Sequence, residues 1–181
     1  MTNRQMANKG GWLEALVEFQ NDIYYRPRGI ADIRRVHVNW VPERGAGGKI
    51  VGAHPAKKSE LDFKGTLMGG RAVSFDCKET ANERGLPLGN IEEHQVDYMR
   101  GALAFGEITF ILCQITPLRR RFVVPGRTVV GRWDAWQAHR GKKGYGAIPL
   151  AEMIPVEDTK RGPCDYLRVV EVDYNDTKTT T

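Results

Sequence analysis

The feature that most constrains this fold is a pair of strand-like segments joined by a glycine-rich turn. Residues 59–67 and 71–78 are each typical of a β-strand, and Met68-Gly69-Gly70 lies between them. Such a pattern predicts a β-hairpin. A three-residue hairpin turn needs a left-handed backbone at its last position, which glycine adopts without steric cost. Gly70 therefore favours a three-residue turn, in which Leu67 pairs with Arg71.

This register brings acidic side chains of the two strands together. It pairs Asp62 with Asp76 and Glu60 with Lys78, and directly opposed β-carbons lie about 5 Å apart. A two-residue turn would place Asp62 and Asp76 on opposite faces. Two facing acids repel and desolvate each other, and a bound cation relieves both penalties. Spacing alone leaves a second interpretation open, a surface hairpin without a site.

Asp76 and Lys78 share one face of their strand because side chains alternate. A carboxylate there can hold Mg²⁺, and an ammonium two residues later can contact a phosphate or orient an attacking water. Cys77 lies between them in the sequence and should point into the core.

The rest of the chain predicts an α/β fold. Helical spacing covers residues 12–25, and residues 30–38, 107–115 and 120–125 are typical of strands. A capping box at Asn90 and Glu93 predicts a helix to about Ala104, and residues 128–139 predict a shorter one. Residues 149–153 suggest a helical turn, and residues 164–174 fit either strand or helix. The order α-β-β-β-α-β-β-α predicts a mixed central sheet flanked by helices.

We expect one domain over residues 1–175. Residues 39–58 predict a Pro/Gly/Lys-rich loop with little apolar content, and residues 176–181 form a polar tail that we expect not to pack. The N-terminus lacks the apolar core of a signal peptide, and no apolar run could span a membrane. We therefore expect a cytoplasmic protein without a membrane partner.

Cysteine, histidine and charge narrow the possible functions. Three cysteines without CxxC spacing and four scattered histidines argue against a disulfide framework and a zinc site. Residues 113–145 carry eight Lys or Arg residues and one acid. A basic face of this kind suggests a polyanionic partner, although a solvated surface gives the same pattern.

The residues around the hairpin resemble one family closely. The segment KSELDFKGTLMGGRAVSFDCKET, followed by LPLGNIEEHQVDYM, is similar to the RecU family of bacterial Holliday-junction resolvases. The resemblance extends to ANKGGWLE near the start, to Trp133-Asp134 and to Asp165–Leu167. It implies the restriction-endonuclease-like PD-(D/E)xK nuclease fold, a homodimer, and metal-dependent cutting of DNA four-way junctions in recombination and repair.

The resemblance also implies roles for individual residues. Asp62, Asp76 and Gln95 would bind Mg²⁺, with Mn²⁺ as an alternative ion, and Lys78 would stabilise the transition state. Glu60 stands at a metal-site position where the family usually has threonine. Asp76 replaces the usual glutamate, which could alter the choice between the two ions. Glu14 on the first helix is a further candidate, because this nuclease fold often supplies a carboxylate there.

DNA contacts are expected on three segments. Residues 39–58 correspond to the family's central stalk, which enters the junction, and the segment looks shorter here. The resemblance and the basic segment together suggest phosphate contacts from seven side chains: Lys9, Arg44, Lys49, Lys57, Lys58, Arg119 and Arg121. Lys9 occupies the place of an arginine in the family's motif.

Two other functions remain open on sequence grounds. The chain could be a nuclease of the same fold that cuts other branched, flapped or duplex DNA. It could also be a DNA-binding protein with inert acids, although a binder gains nothing from acids near phosphates.

Overall fold

A computed structural model describes residues 11–37, 40–55 and 60–170. The helices are α1 (Gly11–Gln20), α2 (Glu93–Ala104) and α3 (Gly126–Ala138). A π-helical turn, Asn21–Tyr25, extends α1, and residues 166–170 are helical. The strands are β1 (Ala31–Arg35), β2 (Trp40–Arg44), β3 (Ile50–Pro55), β4 (Phe63–Leu67), β5 (Ala72–Thr80), β6 (Gly85–Pro87), β7 (Ile108–Ile115), β8 (Arg120–Pro125), β9 (Ala147–Pro149) and β10 (Ile154–Val156).

Six strands form a mixed central sheet in the order β1-β4-β5-β7-β8-β10. Within it β5 and β7 run parallel, and the other neighbours are antiparallel. The parallel pair is joined through α2, as a crossover connection requires. The predicted mixed sheet flanked by helices is confirmed.

The two faces of the sheet carry separate hydrophobic cores. On one face, Phe75 stacks on Phe110 with ring centroids 4.5 Å apart, and both pack with α1 and Tyr166. On the other face, Ile111 packs with residues of α2 and α3, such as Met99 and Val129. β7 supplies both cores because alternate residues of its apolar run point to opposite faces.

The turn that sets the hairpin register is the predicted one. The Leu67 N–H donates to the Arg71 carbonyl at 2.8 Å, and Phe63 pairs with Phe75. Gly70 has φ 87° and Gly69 has φ 91°, so both glycines adopt a left-handed backbone. The prediction anticipated only Gly70. The first strand also begins later than predicted, at Phe63, so Glu60 and Asp62 precede it.

Two local predictions are wrong. Residues 40–55 form a β-hairpin of β2 and β3 rather than a loop, closed through Gly47 and Gly48 at positive φ. Its described side chains from Val41 to Ala53 are mostly exposed, so no buried face produced an apolar alternation in the sequence.

The second error concerns the start of α2. Asn90 ends a 3₁₀ turn, and the capping box is formed by Glu92 and Gln95. The true box, E-x-x-Q, begins with a residue that is uncommon at the N-cap position.

In the part of the chain that is described, no helix is both long and apolar enough to cross a membrane. Several predictions concern residues outside the described ranges: Lys9, Lys57, Lys58 and the polar tail 176–181.

Candidate functional site

Asp62 lies directly before Phe63, the residue at which β4 begins to pair with β5. The register makes the Cys77 N–H face β4, and the Asp62 Oδ2 atom accepts it at 2.9 Å. The Asp62 carbonyl in turn accepts the Val36 N–H at 2.7 Å. Backbone N–H groups of Cys77 and Val36 thus hold both the side chain and the main chain of Asp62 in place.

Asp76 is the most buried acid of the site, with 1% relative exposure. The Gln95 Nε2 atom donates to Asp76 Oδ1 at 2.9 Å, and the Lys78 ammonium lies 2.7 Å from Asp76 Oδ2. Lys78 remains 19% exposed at its side chain. The site therefore has a buried carboxylate, and an ammonium that solvent or a ligand can reach.

Burial raises the pKa of Asp76 to about 7, and the negative charge of Asp62 and a hydrogen bond with it add to the rise. The positive charge of Lys78 partly opposes this effect. The pKa is thus raised first by burial of the carboxylate and then by its closeness to Asp62, and Lys78 offsets only part of this rise. The structure thus brings Asp62, Asp76 and Lys78 together, as the three-residue turn predicted.

Gln95 links the start of α2 to Asp76. It is buried, and its Oε1 atom accepts the Glu92 N–H at 3.1 Å in the capping box. Its amide nitrogen faces Asp76, so both ends of the amide have partners. In this geometry Gln95 orients Asp76 and ties the helix to the sheet.

Glu60 and Glu14 have other partners in this structure. The Glu60 carboxylate lies 2.8 Å from the Lys64 ammonium, and the predicted strand pairing of Glu60 with Lys78 is absent because β4 begins at Phe63. Glu14 forms an ion pair with Arg35. Among the described residues, no three His, Cys, Asp or Glu side chains are placed to hold one metal ion together.

Two contributors to the site were missed in the sequence. One is the Cys77 backbone N–H that anchors Asp62, which no side-chain pattern could reveal. The other is Glu92, whose side chain accepts the backbone N–H of Gln95. The spacing of Glu92 and Gln95 was a usable signal, since the second residue of a capping box lies three after the first.

The basic candidates differ in accessibility. Arg119 is exposed and has φ 52°, whereas Arg121 is ion-paired with Asp158 and only 12% exposed at its side chain. Arg44 and Lys49 are exposed on the β2–β3 hairpin. Part of the basic segment is neutralised, since Arg132 forms an ion pair with Glu152. Arg119 is therefore more available to a phosphate than Arg121.

Comparison with known proteins gives one consistent family. The profile of the RecU family (Recombination protein U) matches residues 8–172. Holliday junction resolvase RecU of Geobacillus thermodenitrificans is 32% identical over 181 residues, covering 93% of this chain and 85% of the relative. The protein of the same name from Oenococcus oeni is 28% identical over 180 residues, covering 96% of this chain and 89% of the relative.

Proposed function

We propose that this chain, which belongs to the RecU family, is a metal-dependent endonuclease that resolves DNA four-way junctions by paired nicks. The observation that carries the proposal is the group formed by Asp62, Asp76 and Lys78. Two of these residues are acids that face each other, and the third is an ammonium reachable from solvent. Such a group suits phosphodiester hydrolysis, which needs a cation site beside a donor to the phosphate.

The donor set fits a hard divalent cation. Asp62 and Asp76 place two negative charges against the single positive charge of Lys78, and burial penalises the excess. Mg²⁺ commonly uses one or two carboxylates and completes its shell with water and substrate phosphate. Asp62 and Asp76 would hold it, and Gln95 would orient Asp76 or contact its water. We propose Mg²⁺, with Mn²⁺ as an alternative ion.

When bound, the cation would neutralise charge on the phosphate and increase the acidity of a coordinated water. The chain's own residues have separate tasks. Lys78 would donate to a non-bridging phosphate oxygen, where negative charge develops as water attacks in line and the bond to the 3′ oxygen breaks. Gln95 would hold the Asp76 carboxylate in place throughout the reaction.

A four-way junction needs two cuts, and a twofold homodimer presents two equivalent sites. We therefore propose a homodimer that acts on DNA in the cytoplasm. The β2–β3 hairpin supports junction recognition because it offers exposed Arg44 and Lys49 beside exposed Val51. Phosphate contacts alone would not distinguish a junction from duplex.

The first prediction tests catalysis. Asp62→Asn and Asp76→Asn should each reduce junction cleavage by at least about a hundredfold, because each removes a charge needed at the site. Binding to the junction in EDTA should stay close to wild type. The assay uses labelled four-way junction, flap and linear duplex, each with and without Mg²⁺.

Asp97→Asn provides the matched control, because Asp97 is an exposed acid on α2 and its variant should cut normally. Full cleavage by both site variants would refute the assignment of the active site. Equal cutting of flap or duplex by the wild type would favour a nuclease for other DNA structures.

A further inference from the structure

A cavity lies on the opposite face of the sheet from Asp76. Its volume is about 510 Å³, which is within the range of small-ligand sites. It opens near the carboxyl end of β7 and the start of α1. The side chains that matter for its chemistry are Trp12, Gln114, Thr116, Arg119, Arg121 and Asp158. We call it the Trp12 cavity.

The lining combines a flat aromatic surface with hydrogen-bond donors. Trp12 is 53% exposed. Gln114 and Arg121 also line the cavity, so the Gln114 amide group and the Arg121 guanidinium can donate hydrogen bonds to a ligand. A ligand that fits this lining is therefore flat and has hydrogen-bond acceptors on its edge.

The rim of the Trp12 cavity adds a positive charge. Arg119 is exposed and has φ 52°, the one positive φ of a non-glycine residue in the described ranges. This backbone belongs to the turn between β7 and β8, in which the Arg119 N–H donates to the Thr116 carbonyl at 3.1 Å, and it holds the Arg119 side chain at the rim. Arg121 is already paired with Asp158, so Arg119 is the cation available to an anion. A nucleotide combines these features, because its base is flat and forms hydrogen bonds and its phosphate is an anion.

The cavity lies near the candidate active site. Glu79 of β5 pairs with Gln114 of β7, and Lys78 pairs with Cys113. Strand spacing and rise therefore put the Cα atoms of Lys78 and Gln114 about 6 Å apart. Their side chains lie on opposite faces of the same sheet edge. A DNA strand that rounds this edge can contact both Lys78 and the Trp12 cavity.

We propose that the Trp12 cavity binds an unpaired nucleobase of the DNA strand that is being cut. The base stacks on Trp12, its edge bonds to Gln114 and Arg121, and a neighbouring phosphate contacts Arg119. The inference rests on the proposed function, because base pairs beside the crossover of a junction can open whereas those within linear duplex stay stacked.

Binding in EDTA tests the cavity without cleavage. The probes are a four-way junction, a 12-nucleotide single strand and a linear duplex. Trp12→Ala should weaken binding to junction and single strand by about fivefold or more, since stacking on one aromatic side chain has that worth. Binding to duplex should not change. Gln114→Leu removes the amide at similar volume and should weaken the same two complexes.

Phe19→Ala is the matched control, because Phe19 has the same 53% exposure on α1 and does not line the cavity. The proposal predicts wild-type binding for this variant on all probes. Equal losses on duplex, or unchanged binding by Trp12→Ala, would overturn it. The proposal would also be overturned if Phe19→Ala weakened DNA binding as much as Trp12→Ala and a dimer dissociated. That result would assign the exposed face of α1 to contact with a second copy of the chain. Junction cleavage by the wild type with Mg²⁺ tests the proposed function separately.

Discussion

At the scale of single residues, the site depends on how Asp76 is buried. A buried carboxylate without partners would take up a proton or bind a cation. Asp76 has two charged neighbours, Asp62 and Lys78. The positive charge of Lys78 offsets only part of the free energy needed to keep Asp76 ionised. The fold therefore tolerates a destabilising charge at the position where the proposed chemistry needs one, as strained functional sites often do.

This burial predicts a pH dependence of stability in metal-free protein. The pKa of Asp76 rises on folding from 3.8 to about 7, so the contribution of its protonated form is fully present below pH 4. That contribution is lost as pH rises towards 7, by about 1.4 kcal/mol for each pKa unit. Urea unfolding in EDTA between pH 4.5 and 8 should show wild type losing stability relative to Asp76→Asn. Parallel curves for the two proteins would contradict the prediction.

At the scale of elements, two short connections position the site. The β4–β5 turn sets the register, and the capping box of α2 sets the orientation of Gln95. Neither turn nor cap touches the substrate in the proposed mechanism. The turn and the cap each control which side chains reach Asp76. A substitution in either one should therefore change both the free energy of unfolding and the cleavage rate, and the relative size of the two effects should differ between substitutions.

The β4–β5 turn should resist β-branched substitution. Gly70 has φ 87°, and an added Cβ would meet nothing within 4 Å. The cost of a substitution is therefore conformational rather than steric crowding. Gly70→Val should lower the free energy of unfolding by about 1 kcal/mol or more, whereas Gly70→Asn should cost less because asparagine tolerates this backbone. Equal unfolding midpoints in urea for the two variants would show that the left-handed backbone is not required.

Variants of Gln95 and Glu92 can distinguish the capping of α2 from the positioning of Asp76. Each replacement by alanine should cost about 0.5–2 kcal/mol by weakening the capping box. Gln95→Ala also removes the donor to Asp76 Oδ1, so it should lower the cleavage rate, while Glu92→Ala keeps that donor and the rate. Thermal unfolding and single-turnover cleavage measure the two effects. Similar cleavage rates for the two variants would leave Gln95 with a capping role alone.

At the scale of the whole molecule, the residues proposed for catalysis and those proposed for junction recognition lie in separate sheets. The central sheet holds Asp62, Asp76 and Lys78, whereas β2 and β3 form their own two-stranded sheet. A hairpin that contacts the centre of a junction reads a feature that duplex lacks. We expect basic residues elsewhere to contribute affinity for DNA without information on its shape, because phosphate contacts occur on any DNA.

Shortening the hairpin should therefore remove selectivity rather than all affinity. Glu43 pairs with Gly52, so replacing residues 44–51 by Asn-Gly keeps that pair and closes it with a two-residue turn. We expect at least about a tenfold loss of junction binding, with duplex binding much less affected. Titrations at two salt concentrations provide the measurement.

Neutralising Arg44 and Lys49 is the comparison for the shortened hairpin. If both contact phosphates, each loss should reduce the slope of log K against log salt by about 0.9. Equal losses on junction and duplex from the shortened hairpin would make it a general phosphate contact.

Local patterns in the sequence predicted five of the six strands of the central sheet, all except β10, and the register of the hairpin. Both follow from local rules: side chains alternate along a strand, and Gly70 supplies the backbone that a three-residue turn needs. From these rules the facing of Asp62 and Asp76 could be predicted. The β2–β3 hairpin could not, since its exposed strands carry no apolar alternation.

How the acids are held depends on contacts between elements that are distant in the sequence. The Cys77 N–H reaches Asp62 because β4 begins at Phe63, and Gln95 reaches Asp76 because α2 packs on that face. The late start of β4 leaves Glu60 beside Lys64, and the tertiary fold brings Glu14 to Arg35, which is 21 residues away. These partners are far apart in sequence or depend on where a strand begins, and local patterns carry no information about either.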